Sequence, residues 1–285
     1  MTLADRYALV ILVVLSTACS MPAYTKAARG ARSLAGGQQG SFDRTLNVSG
    51  VVDLDVSTGS GSIAIRQGSN GRVEIHGRIY AAHDWLRTDG DIEAAIRRIE
   101  SNPPIEQSGG TIRVGRLSGR DGERNISISY EIVVPPQSNV RAHSGSGSQT
   151  IEGISGPVES GTGSGSITLR DIKGDLAANT GSGSIHATGV RGGLQARTGS
   201  GRIEVEGQQT GRWDLQTGSG GVDIHLPREA GFELSAHTGS GGVSVGYPMT
   251  LQGGIIHSRH DVTGRVGNGQ HALNVRTGSG HVRIE

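Results

Sequence analysis

The stretch Leu176-Ala-Ala-Asn-Thr-Gly-Ser-Gly-Ser-Ile-His-Ala187 contains a four-residue phrase, Thr-Gly-Ser-Gly, that returns along most of the chain. The copies begin at Thr58, Ser144, Thr162, Thr180, Thr198, Thr217, Thr238 and Thr277, and the copy at 144 has Ser in place of Thr. From residue 144 they start 18, 18, 18, 19, 21 and 39 residues apart, and the last step is close to two ordinary steps. A fixed period of this size is typical of repeats that stack on one another.

Apolar residues flank each copy at four fixed positions, which in the quoted stretch are Leu176, Ala178, Ile185 and Ala187. The other copies keep aliphatic residues there, except for Ser160, Gln149 and Trp213. A spacing of two on each side of the phrase predicts two short strands, each with one buried face. The phrase itself is predicted to be the corner between them, because glycine allows positive φ and Ser or Thr can bond the nearby backbone.

A further apolar residue follows nine positions after the first Gly of the phrase, at Ile154, Ile172 and Val190, and a Gly two positions later predicts a second corner. One such coil is too small to bury its own core, so successive coils must stack with parallel strands about 4.8 Å apart. The sequence therefore predicts an all-β fold, a single-stranded β-solenoid with coils of roughly 18–21 residues.

Two other repeat architectures do not fit the pattern. A left-handed hexapeptide helix needs an aliphatic residue at every sixth position, and six-residue steps from Ile167 reach Lys173 and Asn179. Calcium-binding nonapeptide repeats need Asp in their Gly-rich turns, and these turns carry Ser and Thr instead.

The first 19 residues are predicted to be a signal peptide, with a basic residue, an apolar run over 8–15 and a lipobox-like end at Cys19. Cys19 is the only cysteine, which excludes a disulfide within the chain and leaves its thiol for acylation. The lipobox departs from the usual pattern at Ser16, where Leu is typical. Lipidation of Cys19 predicts an outer-membrane lipoprotein, since Ser20 rather than Asp follows the Cys. Without lipidation, we expect a secreted or periplasmic protein.

Residues 20–41 are rich in Ala, Gly, Ser and Gln and are predicted to be a flexible tether. The solenoid is predicted over residues 42–285, with an insertion over about 81–134 that interrupts the repeat. Inside the insertion, Asp91–Glu100 has apolar residues at helical spacing before a Pro-Pro pair. We expect one short helix there, which caps the open end or a flank of the stack together with Trp85 and Leu86.

The repeated Leu-x-Ala/Val-x-Thr-Gly-Ser-Gly-x-Ile, the early helix and Ile132-Val133-Val134-Pro135 before the stack resemble the bacterial "putative adhesin" repeat family, an envelope domain of unknown function. The resemblance covers roughly residues 42–285. It implies a single-stranded β-solenoid at the cell surface, with adhesion as a hypothesis about its role.

Formal net charge is +1, with acids and bases interspersed, so no basic stripe indicates a nucleic acid partner. Nucleophile motifs, metal-binding cysteines and phosphate loops are absent from the sequence, which indicates no enzyme and no cofactor. Trp213 is expected in the core rather than as a sugar platform. Gln149 is expected near one end of the regular stack, where water or the capping segment reaches its amide.

One outward cluster is a weak candidate for chemistry: His186, Glu204 and Asp223 share one position in three successive copies, with Glu206 and His225 two residues further on. Such groups can hold a divalent cation or perform acid–base chemistry on a polysaccharide. A solvated polar face is the favoured interpretation, because outward columns are polar by default. A second, weaker set of possible ligands is His257, His260 and Asp261.

The sequence thus predicts a non-catalytic binding, adhesion or structural module, attached to a membrane through a lipid anchor. Its partner is expected to be an envelope protein or a polysaccharide. The alternative is a polysaccharide-active enzyme, a lyase or hydrolase, that uses the outward carboxylate and His cluster. An ice-binding surface fits less well, because it needs Thr-x-Thr on a flat face and each coil has one Thr at a corner.

Overall fold

A computed structural model describes residues 39–81, 89–115, 117, 126–250 and 259–285. The first elements of the chain are β1 (Gly40–Asn47), β2 (Val52–Thr58), β3 (Ile63–Gln67), β4 (Arg72–Ala81), α1 (Asp89–Ser101), β5 (Ile105–Ser108), β6 (Thr111–Val114) and β7 (Ile126–Val134). The central strands are β8 (Ser138–Ser144), β9 (Gln149–Glu152), β10 (Val158–Thr162), β11 (Ile167–Arg170), β12 (Leu176–Thr180), β13 (Ile185–Thr198), β14 (Ile203–Thr217) and β15 (Val222–His225). The last strands are β16 (Phe232–Ser240), β17 (Val243–Val245), β18 (Met249–Thr250), β19 (Asp261–Val266), β20 (His271–Ser279) and β21 (Val282–Ile284). The all-β prediction is confirmed, and β1 starts two residues before the predicted start of the domain.

Strands that precede the corner form one side of the molecule, which we call the first side. There β2, β8, β10, β12 and the second halves of β13 and β14 pair in parallel, and the aligned residues of β8, β10, β12 and β13 are 18 apart in number. Strands that follow the corner form the second side, where β3, β9, β11, the first halves of β13 and β14, and β15 pair in the same way. A short third side closes each turn, as the Lys173 N–H donates to Ile154 O at 2.9 Å and the Arg191 N–H donates to Ile172 O at 2.8 Å.

The predicted apolar columns form the core. Leu176, Ala178, Ile185 and Ala187 are all buried, and so are their aliphatic equivalents from β2 to β15. Trp213 is fully buried in the column of Leu194, and its Nε1 donates to Gly192 O at 3.0 Å, so its assignment to the core is confirmed. Val243 and Val245 in β17 are the exceptions, because they are only half-buried.

The corner glycines are needed for a different reason from the one predicted. In the copies from Ser144 to Gly220 none of these glycines has a positive φ. Instead, a Cβ on Gly183 would lie 1.8 Å from the carbonyl oxygen of Gly165, its counterpart in the preceding coil. The corners therefore require glycine because their backbones touch, which fits the general use of glycine where chains approach closely.

The threonine of the phrase points inward and joins two coils. Thr180 Oγ1 donates to Gly165 O of the preceding coil at 2.9 Å and accepts a hydrogen bond from the Gly183 N–H at 3.1 Å. Thr162 and Thr198 make the same two bonds. The hydroxyl thus satisfies backbone groups that the corner would otherwise leave unpaired inside the protein.

Around Ile154 and Ile172 the chain bends at the Gly two residues after the apolar position, where the sequence predicted the second corner, and also at the residue before it. Gly153 and Gly189 have positive φ at this earlier bend, and Asp171 occupies the same place with φ 53°. Among the later glycines, Gly192 has φ 141°, and a Cβ on Gly174 would lie 2.3 Å from Gly156 O. Asp is one of the few residues that tolerate the left-handed region, which explains why Asp171 can occupy the position that Gly153 and Gly189 occupy in the neighbouring coils.

Gln149 lies on the second side with a coil on each edge and is buried, so the expectation that water or the capping segment reaches its amide is wrong. Its strand β9 pairs with β11 on one edge and β3 on the other. The buried amide Nε2 donates to Gly161 O at 2.5 Å, and the Ser160 hydroxyl donates to Gln149 Oε1 at 2.6 Å. The two polar exceptions to the apolar columns therefore satisfy each other across the core.

The residues between the first two copies build the N-terminal end of the stack. Strand β6 pairs in parallel with β2, and β7 pairs in parallel with β3. Antiparallel strands then follow, β5 on β6, β4 on β7 and β1 on β4. Helix α1 contacts β1 and buries Ile92, Ala95, Ile96 and Ile99, with a hydrogen bond of 3.1 Å from the Ser41 N–H to Glu100 Oε1. Trp85 and Leu86 lie outside the described residues.

The C-terminal end does not follow chain order. Strand β20 pairs in parallel with β14 on one edge and β16 on the other, and β21 lies between β15 and β17 in the same way. The coil that contains Thr277 is thus inserted between the coils of Thr217 and Thr238. Beyond it, β19 pairs antiparallel with β16, and β18 pairs antiparallel with β19.

Candidate functional site

The parallel register brings part of the predicted cluster together on the second side. His186, Glu204 and Asp223 are aligned residues of β13, β14 and β15. His186 Nδ1 lies 3.2 Å from Glu204 Oε2, and both side chains are close to half exposed, at 43% and 46%. This contact is an exposed pair, the kind that contributes at most about 1 kcal/mol to stability.

The other members of the cluster have different neighbours. Asp223 Oδ2 lies 3.6 Å from Arg202 Nε, and Arg283 of β21 is aligned with Asp223 on its far edge. His225 is aligned with Glu206 in the next outward position. In the described part of the chain no three His, Cys, Asp or Glu side chains are grouped closely enough to hold a metal ion. A catalytic or metal role for the cluster stays a prediction.

The second predicted ligand set is divided. His257 lies outside the described residues, as does Cys19. Asp261 Oδ1 lies 2.5 Å from His237 Nδ1, a contact between aligned residues of β19 and β16. This pair belongs to the antiparallel end of the first side.

A groove lies on the first side, away from the clusters that the sequence predicted. It has a volume of about 760 Å³, and its lining includes His143, Gly161, Asn179, Arg197 and Gln216. These residues occupy one outward position, immediately before the Thr of each copy, and the register continues it to Arg276 and His237. We call these seven residues the Arg197 column. The signal was present in the sequence as the position before the repeated Thr.

A second groove, of about 580 Å³, runs beside the Arg197 column along the first side. Asp175 Oδ1 accepts a hydrogen bond from the Gly193 N–H at 2.9 Å, and the other charged side chains are paired with one another. Arg141 Nε lies 3.8 Å from Glu159 Oε2, and Arg212 Nε donates to Asp214 Oδ2 at 2.7 Å. The hydrogen bond from Arg212 holds the pKa of the Asp214 carboxyl below its usual value, assisted by a bond from Asn274 Nδ2.

The described elements define a class: an all-β protein of stacked, parallel repeats whose outward faces are polar. The chain belongs to the Toastrack DUF4097 family, whose model matches residues 120–285. The predicted membership of an adhesin-like family of unknown function is thereby confirmed. No curated protein matches the sequence.

Three solved structures are similar at low identity. A "putative adhesin" from Bacteroides fragilis has a TM-score of 0.43 and 14% identity, over 86% of this chain and 97% of its own. A "putative lipid binding protein" from Parabacteroides distasonis has a TM-score of 0.43 and 16% identity, over 86% and 97%. A "putative cell adhesion protein" from Clostridium sporogenes has a TM-score of 0.31 and 12% identity, over 86% and 98%. Within the described residues, no helix is both long and apolar enough to cross a membrane.

Proposed function

We propose that this protein is a cell-envelope lipoprotein, acylated at Cys19, whose domain over residues 42–285 binds an envelope component without catalysis. Residues 20–41 tether the domain to the outer membrane. The domain is a three-sided β-solenoid with coils of 18–21 residues, and the insertion with α1 covers one end. The parallel registers support this fold, because the aligned residues repeat every 18 or 19 positions in the centre.

The observation that carries the proposal is the continuous outward face of the first side. Eight parallel strands contribute to it, from β2 to β16, with every second side chain exposed or half-exposed above a buried neighbour. At about 4.8 Å per strand, these seven spacings make a face about 34 Å long. Long repetitive surfaces of this kind are what solenoid proteins use for binding. Catalysis instead needs a nucleophile, a base and charge stabilisation gathered in one pocket.

Fractionation of cells that express Cys19→Ser tests the anchor. Multiple acyl chains hold a protein on a membrane stably, so the wild-type chain should sediment with membranes and the variant should become soluble. Cys19→Ser that stays with the membrane as the wild type does would place the anchor elsewhere. Binding of the purified full-length chain to isolated envelopes tests the second half of the proposal, and a chain that does not bind them would refute it.

The enzymatic alternative rests on the contact between His186 and Glu204. Carboxylate and imidazole groups at this distance can exchange a proton, which glycoside cleavage requires. Glu204→Ala distinguishes the two functions. Envelope binding that survives this change supports a module without catalysis, because binding is then spread over several coils. Loss of a measurable polysaccharide turnover in Glu204→Ala would instead identify an active site.

A further inference from the structure

The Arg197 column contains two arginines, Arg197 and Arg276, and two histidines, of which His237 is paired with Asp261. Arg197 and Arg276 make no hydrogen bond or ion pair with any described residue, and both are exposed. Two acids nearby have closer partners: Glu159 faces Arg141 at 3.8 Å, and Asp214 binds both Arg212 and Asn274. Arg197 lies close enough to Asp214 for its charge to help lower the pKa of that carboxyl, but it makes no direct bond to it. The guanidinium groups of Arg197 and Arg276 therefore keep their hydrogen-bond donors free for a ligand.

The spacing within the column is regular. Arg197 is aligned with Gln216, and Gln216 is aligned with Arg276. Two strand spacings separate the two arginines by about 10 Å, with the amide of Gln216 between them. Asn179 and His143 extend the row on the other side of Arg197. Two arginines thus flank one neutral group that can donate and accept hydrogen bonds.

The groove lies beneath the row from His143 to Gln216, and its lining includes one acid, Glu159. Arg276 continues the row beyond Gln216. Gly161 stands in the row itself, and the corner glycines Gly181, Gly199 and Gly218 line one wall. These positions have no side chain, so a ligand can approach the backbone closely. Guanidinium groups bind carboxylates and other planar oxyanions through two parallel hydrogen bonds.

We infer that the groove along the Arg197 column binds an extended acidic polysaccharide with one carboxylate on every second sugar. The separation of the two arginines is close to the length of an extended disaccharide, and Gln216 lies where a neutral sugar would present hydroxyl groups. An anionic membrane surface fits less well, because membrane-binding faces also insert large apolar side chains. The single exposed large hydrophobic residue of the described chain is Val51, outside this column. This inference rests on the proposed binding function and names its partner.

The test measures binding of purified full-length protein to hyaluronan oligosaccharides, which carry one carboxylate per disaccharide, and to neutral dextran. We expect binding to hyaluronan that weakens as NaCl is raised, and none to dextran. The double variant Arg197→Gln/Arg276→Gln should bind hyaluronan about tenfold more weakly, because two charged contacts are lost. The matched control is Arg170→Gln/Arg191→Gln, which removes the same charge from exposed positions on the other two sides. It should bind within about twofold of the wild type.

Three outcomes would overturn the inference. The first is a wild-type protein that binds no hyaluronan. The second is an equal loss in both double variants, which would indicate attraction by net charge only. The third is binding to phosphatidylglycerol vesicles, lost in Arg197→Gln/Arg276→Gln, with no binding to hyaluronan, which would identify a membrane surface. If the wild type still binds isolated envelopes in any of these cases, the proposed function stands and only its assigned partner is wrong.

Discussion

Within the central coils, from Ser138 to Thr217, successive strands pair in parallel with strands 18 or 19 residues away in the chain. At the two ends the neighbours come from far away, as β7 joins β3 and β20 is inserted between β14 and β16. Antiparallel strands finish both ends. A parallel stack without caps leaves the backbone groups of its first and last strands unpaired, and the antiparallel strands at each end pair with them. Repetition builds the centre, whereas the ends depend on contacts of long range.

The largest loss of stability is expected from a charged residue placed in an apolar column of the central coils. Leu176 is buried between β10 and β13, so Leu176→Asp places an unpaired carboxylate in the core. We expect a loss of about 4 kcal/mol or more in the free energy of unfolding. Urea unfolding followed by circular dichroism measures it. Asn179→Asp in the same strand faces solvent and should unfold near the wild-type midpoint, and equal behaviour of the two variants would refute the assigned core.

A second comparison uses the same residue change in the centre and at an end. Gly181→Ala, at the first Gly of a central copy, forces a methyl group against Gly163 O, and we expect a loss of about 2–3 kcal/mol through overpacking. Gly59 is the first Gly of the copy nearest the N-terminal end, and a Cβ there meets no atom within 4 Å. Gly59→Ala should therefore be neutral, or stabilise by up to about 1 kcal/mol. Equal melting temperatures for the two variants would disprove the close-contact role of the corner glycines.

The smallest effect concerns the polar pair inside the centre. Ser160→Ala removes the donor to Gln149 Oε1, and we expect a loss of about 1–2 kcal/mol because a buried acceptor is left unpaired. The double variant Gln149→Ile/Ser160→Ala gives both positions the residues of neighbouring coils. It should recover the lost stability in thermal melts. A double variant less stable than Ser160→Ala would show that the Gln149–Ser160 hydrogen bond adds more stability than two apolar side chains at these positions do.

The core of the centre could be predicted because one local rule repeats in every coil. Leu176 and Ile185 are two members of long aliphatic columns, and alternation alone assigns them to the inside. The position of Gln149 could not be predicted, because the residues that build the end lie in the interruption and follow a different pattern. The inserted C-terminal coil could not be predicted either. Leu273 and Leu234 are equivalent in sequence, so side-chain chemistry does not determine which of their coils lies beside Trp213.

The site was harder to predict than the fold for a physical reason. Outward residues are polar whether or not they bind anything, so His186 and Arg197 are both compatible with a solvated face. Direct contacts distinguish them: His186 lies 3.2 Å from Glu204, whereas Arg197 makes no hydrogen bond or ion pair in the described chain. That difference depends on which strands are neighbours, and it becomes visible only once the registers are known.

The inserted coil also constrains the order in which the protein can fold. Residues 138–225 can stack as they leave the ribosome, because each newly synthesised coil pairs with the coil that precedes it in the chain. The coil of Phe232 and Leu234 has no neighbour on the inner edge of the stack until β20 and β21 have been synthesised. Its final position therefore depends on a segment that comes about 40 residues later, which raises the contact order of this region. We expect the C-terminal third to be the last part to fold, and the part that a protease reaches first in nascent chains.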